Sequence, residues 1–430
     1  MAVIDRLKFI SRRLGERLWL RPLVFCMLSI AAVFIAKAAD SMNLGWSIPS
    51  INTESVEALL EIMAASMLVI ATFAVGSMIS AYASASTSAT PRSFTLIIAD
   101  DVSKNALSIF IGSFIFSIFA LTAAKNDIFR EPGLAALFVL TVFVFGVVII
   151  TFVRWVDTIA RLGRVGASVE KVEAATTAAM KLRRKAPAFG GIPTESRHMQ
   201  RTAVYAATVG YLQHIDIETL QAWAETVNVR IVVAALPGTF ADPGRALAYV
   251  THDTASTAEL DLKAVTDAFV IGTERLFEED PRFGLVTLSE IADRALSSGV
   301  NDPGTAITII GSLVRLFVLW AEPTEDLQAP KCDRVEVPLL STRDMFDDAF
   351  TAMARDGAGT VEVMLRLQKA FKALSCLGDS AMREAAVAHS RMALARAEKK
   401  LELPEDLALV REAAAFSSTN THMDDAIATK

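Results

Sequence analysis

The sequence has few of the residues from which catalytic and metal sites are usually built. Its cysteines are Cys26, Cys332 and Cys376, which lie far apart and form no CxxC pair, so a disulfide framework and a cysteine-based zinc or iron–sulfur site have no support. The histidines are also dispersed, and the chain contains no HExxH, GxGxxG, P-loop or GxSxG motif. We therefore expect no metal, no cofactor and no enzymatic activity.

Charged residues are scarce as well. They make up 21% of the 430 residues, whereas 53% of the residues are hydrophobic and the mean hydropathy is +0.41. This composition is too apolar for an ordinary soluble protein of that length. The formal net charge of -6 offers no basic surface for nucleic acid. The composition predicts a membrane protein that contacts the lipid bilayer and has no nucleic-acid partner.

Four apolar segments are long enough to cross a bilayer, which needs about 20 helical residues. They are residues 22–39, 62–83, 106–124 and 134–153, and no ionisable residue lies in the middle of a span. Lys and Arg residues concentrate on the side that holds both termini, whereas the other side has only Lys125 and Arg130. Positive charge marks the cytoplasmic side, so the sequence predicts a multi-pass protein of the bacterial inner (cytoplasmic) membrane with both termini in the cytoplasm.

The segment before the first span, residues 1–21, is basic and carries apolar residues at helical spacing. This pattern fits a helix lying on an anionic leaflet, and it fits equally well a positively charged topology anchor. A cleavable signal peptide is an alternative for the first span, because Ala36-Lys37-Ala38 resembles a cleavage site. The lysine in that triplet and the long charged leader argue against cleavage.

The second span carries small residues at every fourth position. One row runs through Gly76, Ser80, Ser84 and Ser88, and an adjacent row begins at Ser77. Such rows let membrane helices approach closely, which is the favoured interpretation and predicts a homo-oligomer. The functional alternative is that the hydroxyl groups line a water-filled pore between subunits.

The cytoplasmic part divides by composition into a juxtamembrane helix and linker (154–200), a β-rich subdomain (201–257), a helical domain (258–414) and a disordered tail (415–430). Pro-Gly turns at 237–238 and 243–244, placed among short apolar strands, favour a small barrel or sandwich. The predicted fold is thus a mainly α integral membrane protein. Its four transmembrane helices are followed by a cytoplasmic α+β region with a small β-barrel-like subdomain and a helical domain.

The most distinctive residues of the cytoplasmic part lie between 280 and 306. Asp280-Pro281 and Asp302-Pro303 are typical helix starts, with the aspartate as N-cap, and Gly299 is a suitable stop for the helix between them. The functional alternative is that Arg294, Asn301, Asp302 and Thr305 converge at a helix N-terminus and bind a small anion there. Capping alone is favoured, because capped turns are far commoner than anion sites.

Several runs resemble the bacterial family of predicted membrane proteins catalogued as domain-of-unknown-function family 2254. They are Ser88-Ala89-Thr90-Pro91-Arg92, Phe110-Ile111-Gly112-Ser113-Phe114, the run GYLQHID from Gly210 to Asp216, and above all ALSSGVNDPGTA from Ala295 to Ala306. The chain departs from the family pattern at Ser298 (usually Pro), at Gly304 (usually Thr) and at Arg154-Trp155 (often a His pair). The resemblance implies a four-span inner-membrane protein with a cytoplasmic domain, and it implies no particular activity.

Two functions fit these features. The first is an oligomeric channel or transport-type protein with a cytoplasmic regulatory domain, based on the Ser-rich row of the second span. The second is a membrane-tethered sensor or scaffold that binds an anionic ligand or a protein partner through the region from Arg294 to Thr305. The first is preferred, because four spans exceed what simple tethering requires.

Overall fold

The computed structural model describes residues 20–38, 40, 51–88, 90–98, 101–162, 164–194, 201–251, 261–324 and 327–419. The chain forms two compact units, one ending at Ser168 and the other beginning at Val169, which we call the N-terminal and C-terminal units. The predicted N-terminal basic segment lies almost entirely outside the described residues, as does the end of the predicted tail.

The N-terminal unit is helical. Its helices are α1 (Leu20–Ala38), α2 (Thr53–Ser88), α3 (Phe94–Ile98), α4 (Asp101–Lys125) and α5 (Glu131–Leu162), with a 3-10 turn at Pro91–Ser93. Each of the four predicted spans falls on one long helix, namely α1, α2, α4 and α5. By length and composition, five described helices could cross a membrane, and the fifth, Pro303–Ala321, belongs to the C-terminal unit.

Helix α4 packs against α1, α2 and α5. One apolar core contains Leu60, Phe116 and Leu137. A second contains Phe110 and Trp155, whose rings meet edge to face at 6.1 Å. Trp155 thus occupies a packing position within the N-terminal unit. Many large apolar side chains face away from these cores, as expected for helices in lipid.

Two lysines at the C-terminal ends of long helices of the N-terminal unit pair with carboxylates. Lys37 Nζ lies 2.6 Å from an oxygen of Asp40, and Lys125 Nζ lies 2.5 Å from Glu61 Oε1. A paired charge at a helix end costs much less than one in mid-membrane.

The C-terminal unit contains two sheets. Its strands are β1 (Gly191–Pro193), β2 (Arg201–Tyr205), β3 (Gly210–Ile215), β4 (Arg230–Val233), β5 (Phe240–Ala241), β6 (Ala246–Thr251), β7 (Phe269–Gly272) and β8 (Cys332–Val337). The first sheet has the order β1-β8-β4-β6-β2, and the second has the order β5-β3-β7. The β1–β8 and β8–β4 pairs are parallel, with Ile231 opposite Val335, and the other pairs are antiparallel.

The predicted β-barrel-like subdomain is wrong, because the strands of the described residues form two separate sheets and no closed barrel. The chain leaves the first sheet after β4, adds β5 to the second sheet, and returns to the first as β6. The Pro-Gly turns therefore connect different sheets. In addition, β1 comes from the predicted linker, and β7 and β8 come from the region predicted to be helical.

Helix α6 (Val165–Lys185) begins four residues before the C-terminal unit and continues into it. The other helices of the C-terminal unit are α7 (Ile217–Val227), α8 (Lys263–Asp267), α9 (Pro281–Leu296), α10 (Pro303–Ala321), α11 (Thr342–Asp356), α12 (Val361–Ser375), α13 (Ser380–Lys400), α14 (Pro404–Ala414) and α15 (Phe416–Thr419). Helix α15 lies within the tail predicted to be disordered, and Ser417 is buried there. Asp216 caps α7 by accepting a hydrogen bond from the Thr219 amide.

Helix α10, the fifth apolar helix, is packed within the C-terminal unit. It contacts α9 and α12, and it buries Ile309, Ile310, Leu313 and Phe317. Arg315 points the other way and donates two hydrogen bonds of 2.7 Å to Glu173 on α6. Packing within the C-terminal unit therefore accounts for the apolar composition of α10.

Candidate functional site

The sequence-predicted ligand residues lie at the junction of α9 and α10. Asp302 caps α10: one carboxylate oxygen accepts from the Thr305 amide at 3.0 Å, and the other accepts from the Thr305 hydroxyl at 2.6 Å. These hydrogen bonds lower the pKa of Asp302. The predicted cap is confirmed, and both side chains are occupied with each other.

The helix stop differs from the prediction. Helix α9 ends at Leu296, and Asn301 rather than Gly299 adopts the left-handed conformation, with φ of 50°. Asparagine tolerates this conformation better than most residues. Arg294 is exposed on the last turn of α9, and within the described residues no hydrogen bond joins its side chain to Asn301, Asp302 or Thr305. The structure therefore brings Asp302 and Thr305 together but shows no convergence of all four residues.

Three residues of the small-residue row of α2 lie on the exposed surface of their unit, namely Gly76, Ser80 and Ser84. Gly76 has nothing within 4 Å of the position a Cβ would take, and Ser80 and Ser84 are exposed. Ser77, on the adjacent row, is half-buried. The side chain of Ser88 lies outside the described residues. The row does not pack against another helix of the same chain at Gly76.

The C-terminal unit has a cavity of about 410 Å³ beside the start of α9. Its lining contains three arginines, Arg245, Arg275 and Arg282, and, among the described residues, no carboxylate. The remaining lining residues are Ala234, Leu236, Pro237, Gly238, Thr239, Phe240, Pro338 and Leu340. Three guanidinium groups around one space offer many N–H donors to an anion.

One wall of the cavity is the predicted Pro237-Gly238 turn between β4 and β5. Gly238 has φ of +91°, and its amide donates to the Leu212 carbonyl at 2.8 Å. A Cβ at Gly238 would lie 2.0 Å from an Asp280 carboxylate oxygen. Both the positive φ and this close approach require glycine. The turn therefore fixes the cavity wall against the start of α9.

Asp280 is the buried anchor of Arg275. Its carboxylate is 3% exposed, caps α9 by accepting from the Phe283 amide at 3.1 Å, and accepts from Arg275 Nε at 2.7 Å. Burial raises the pKa of Asp280, although the hydrogen bond and charge of Arg275 oppose the rise. Arg275 also lies over the Phe283 ring at 5.1 Å. These contacts hold the guanidinium in one orientation.

Arg282, in the first turn of α9, is held by two carboxylates of α11. Its Nε donates to Asp348 Oδ2 at 2.6 Å and its Nη1 to Asp344 Oδ2 at 3.0 Å. The carboxylates orient both Arg275 and Arg282 and neutralise most of their charge. Arg245 is different: it is exposed, and within the described residues its side chain makes no ion pair or hydrogen bond. Arg245 is thus the arginine of the cavity lining whose donors remain available among the described residues.

Further polar side chains, one buried and two partly exposed, lie near Asp280. Arg183 on α6 is 3% exposed, and burial lowers its pKa to about 10 despite the opposing charges of Glu279 and Asp280. His214 Nδ1 lies 2.7 Å from Glu279 Oε1. The histidine therefore pairs with a carboxylate of the segment that leads into α9.

Sequence reasoning missed Arg245, Arg275 and Arg282 as a set. The available signals were the Pro243-Gly244 turn, directly before Arg245, and the Asp280-Pro281 helix start, directly before Arg282, whereas no turn or cap motif stands beside Arg275. The cavity and the junction of α9 with α10 lie at opposite ends of α9, a helix of 16 residues and hence about 24 Å long. The two candidate sites are therefore distinct.

Long apolar helices followed by a separate α+β unit are consistent with a multi-pass membrane protein. The chain belongs to the family described as predicted membrane protein (DUF2254), whose model matches residues 15–373. This confirms the resemblance carried by the run from Ala295 to Ala306.

Two of the similar curated proteins come from mycobacteria. Uncharacterized protein MT1328 of Mycobacterium tuberculosis (strain CDC 1551 / Oshkosh) is 31% identical over 108 residues, covering 24% of this chain and 20% of that protein. Uncharacterized protein Mb1321c of Mycobacterium bovis has the same identity and coverage. The chain thus matches about a fifth of the length of these relatives. No solved structure matches the chain.

Proposed function

We propose that this is a membrane-anchored sensor whose C-terminal unit binds a small anionic ligand in the arginine-lined cavity. The observation that carries the proposal is the set of three guanidinium groups around one space, of which Arg245 has no ion-pair partner within the described residues. The buried Asp280 holds Arg275 in place, and the partly exposed Asp344 and Asp348 hold Arg282, before any ligand arrives, which lowers the ordering cost of binding. The proposed ligand site is thus the cavity at the start of α9, and not the region from Arg294 to Thr305 that the sequence predicts.

The proposal includes four membrane spans, with both termini and the C-terminal unit in the cytoplasm of a bacterial cell. The Lys and Arg distribution supports this orientation. The packing of α10 supports the count of four, because that helix buries its apolar face against α9 and α12 and carries Arg315 at its surface. The proposal involves no catalytic step, no metal and no nucleic acid.

Binding of inorganic pyrophosphate to the full-length protein in lipid nanodiscs, measured by isothermal titration calorimetry, tests the proposal. A charge-assisted hydrogen bond contributes about 1.5–3 kcal/mol, so Arg245→Gln should weaken binding about 10- to 100-fold. Arg294→Gln is the matched control, since it removes an exposed arginine from the far end of α9.

Equal weakening by both variants would indicate non-specific attraction and overturn the cavity assignment. Loss of binding in Arg294→Gln alone would return the site to the junction of α9 and α10. Wild-type protein that binds no pyrophosphate would contradict the proposal as a whole. Thermal unfolding of each variant shows whether an effect reflects loss of the fold.

An oligomeric channel or transport-type protein is the second candidate function. The exposed row at Gly76, Ser80 and Ser84 favours it, because small residues open to the outside of α2 allow a helix of another subunit to approach closely. Native mass spectrometry in nanodiscs tests the assembly. A closed ring of four or more subunits in the wild type, together with its loss in Gly76→Leu, would favour a channel. A wild-type monomer would exclude a pore between subunits.

A further inference from the structure

The cavity has an aromatic wall as well as arginines. Phe240 lines it from β5, and this side chain remains 47% exposed although it is large and apolar. Tyr211, on the neighbouring strand β3, meets the Phe240 ring edge to face at 5.3 Å. An aromatic ring that is held from one side and open on another can stack on a planar ligand group.

The donors available in the cavity suit several anionic oxygens rather than one. Arg275 uses only Nε on Asp280, and its terminal nitrogens make no hydrogen bond within the described residues. Arg245 uses none of its side-chain donors in the same described region. A guanidinium group matches the oxygens of a phosphate in geometry, so two such groups can hold a diphosphate.

The size of the cavity also exceeds what a lone inorganic anion requires. Its volume of about 410 Å³ lies within the range of about 300–1,000 Å³ in which proteins hold organic small molecules. Leu236, Pro338 and Leu340 add apolar surface to the wall. A ligand that fills this space combines charged oxygens with a sizeable flat or apolar part.

We propose that the ligand is a nucleoside diphosphate, with its phosphates bound by Arg245 and Arg275 and its base stacked on Phe240. This inference rests on the proposed function, since it names the ligand class of the same cavity. The base contributes through its flat face, which any nucleobase has, so the stacking is tolerant of base identity.

Calorimetry on the full-length protein in nanodiscs tests the inference with ADP, GDP, CDP and UDP, and with pyrophosphate and ribose 5-phosphate as probes that lack a base. At least one nucleotide should bind about tenfold or more tightly than either baseless probe. Phe240→Leu should weaken nucleotide binding about tenfold and leave pyrophosphate binding unchanged. Phe240→Tyr keeps an aromatic face and should retain nucleotide affinity.

The outcomes separate the two claims. If pyrophosphate binds in an Arg245-dependent manner but no nucleotide binds more tightly, the inference fails and the proposed function stands. The inference also fails if Phe240→Leu leaves nucleotide binding unchanged, or if Phe240→Tyr, a variant that keeps the ring, loses it. If no probe binds to the folded wild-type protein, both the inference and the proposed function fail.

Discussion

Two helices of the C-terminal unit begin with the dipeptide Asp-Pro. Substitutions at the two aspartates can therefore be compared to isolate the free energy that the buried ion pair at the cavity contributes to folding. Asp280-Pro281 starts α9 and Asp302-Pro303 starts α10, and each aspartate accepts a hydrogen bond from an amide three residues later. Asp302 is exposed, whereas Asp280 is 3% exposed and paired with Arg275. Replacing either aspartate by alanine removes a cap, and only the change at Asp280 also breaks a buried ion pair.

The expected costs follow from these contacts. Loss of an N-cap costs about 1 kcal/mol, so Asp302→Ala should lower the free energy of unfolding by about that amount. Breaking a buried pair costs about 3–5 kcal/mol, and Arg275 is 20% exposed, so we take the lower end. Asp280→Ala should therefore cost about 4 kcal/mol. Asp280→Asn keeps a good capping group and should cost about 3 kcal/mol.

Pulse proteolysis of the full-length protein in nanodiscs, across a urea series, measures the fraction of the C-terminal unit that is folded. The same gel reports the wild type and the three variants under identical conditions. If Asp280→Ala and Asp302→Ala lower the free energy of unfolding by amounts that agree within about 0.5 kcal/mol, the reasoning is refuted, because the buried pair then adds nothing to the cap. An Asn variant as stable as wild type would refute it independently.

Two further predictions concern other positions. A Cβ at Gly112 would lie 3.1 Å from Phe25 Cβ, whereas Gly76 faces open space. Gly112→Leu should therefore lower the thermal midpoint of the monomer by several degrees, and Gly76→Leu should not. Equal shifts would contradict the packing of α1 against α4. Burial and the charge of Asp356 raise the pKa of Asp293 to about 6 in the folded protein. As the pH rises from about 4 to 6, the unfolded chain loses this proton while the folded protein still holds it, so the free energy of unfolding falls over that range. Asp293→Asn should remove that fall and stabilise the unit at pH 7 by on the order of 1 kcal/mol, and an unchanged pH profile of unfolding would show that Asp293 is not responsible.

The sequence by itself determined the features that depend on neighbouring residues. Each long apolar run became one helix of the N-terminal unit, because a helix of about 20 apolar residues satisfies its own backbone hydrogen bonds. Asp216, Asp280 and Asp302 each became an N-cap, because the partner amide is three residues away. The family followed from a run of twelve consecutive residues, from Ala295 to Ala306.

Only the tertiary structure decided which distant segments meet. Strand β8 lies between β1 and β4 although it follows both by about a hundred residues or more. Its charged residues Asp333, Arg334 and Glu336 interrupt the apolar pattern of a strand, within a region predicted to be helical. The three arginines of the cavity come from a strand connection, a loop and a helix start. Nothing local distinguishes the two Asp-Pro starts, yet one is buried beside Arg275 and the other is exposed, because burial depends on which surfaces pack together and not on the residues adjacent in the chain.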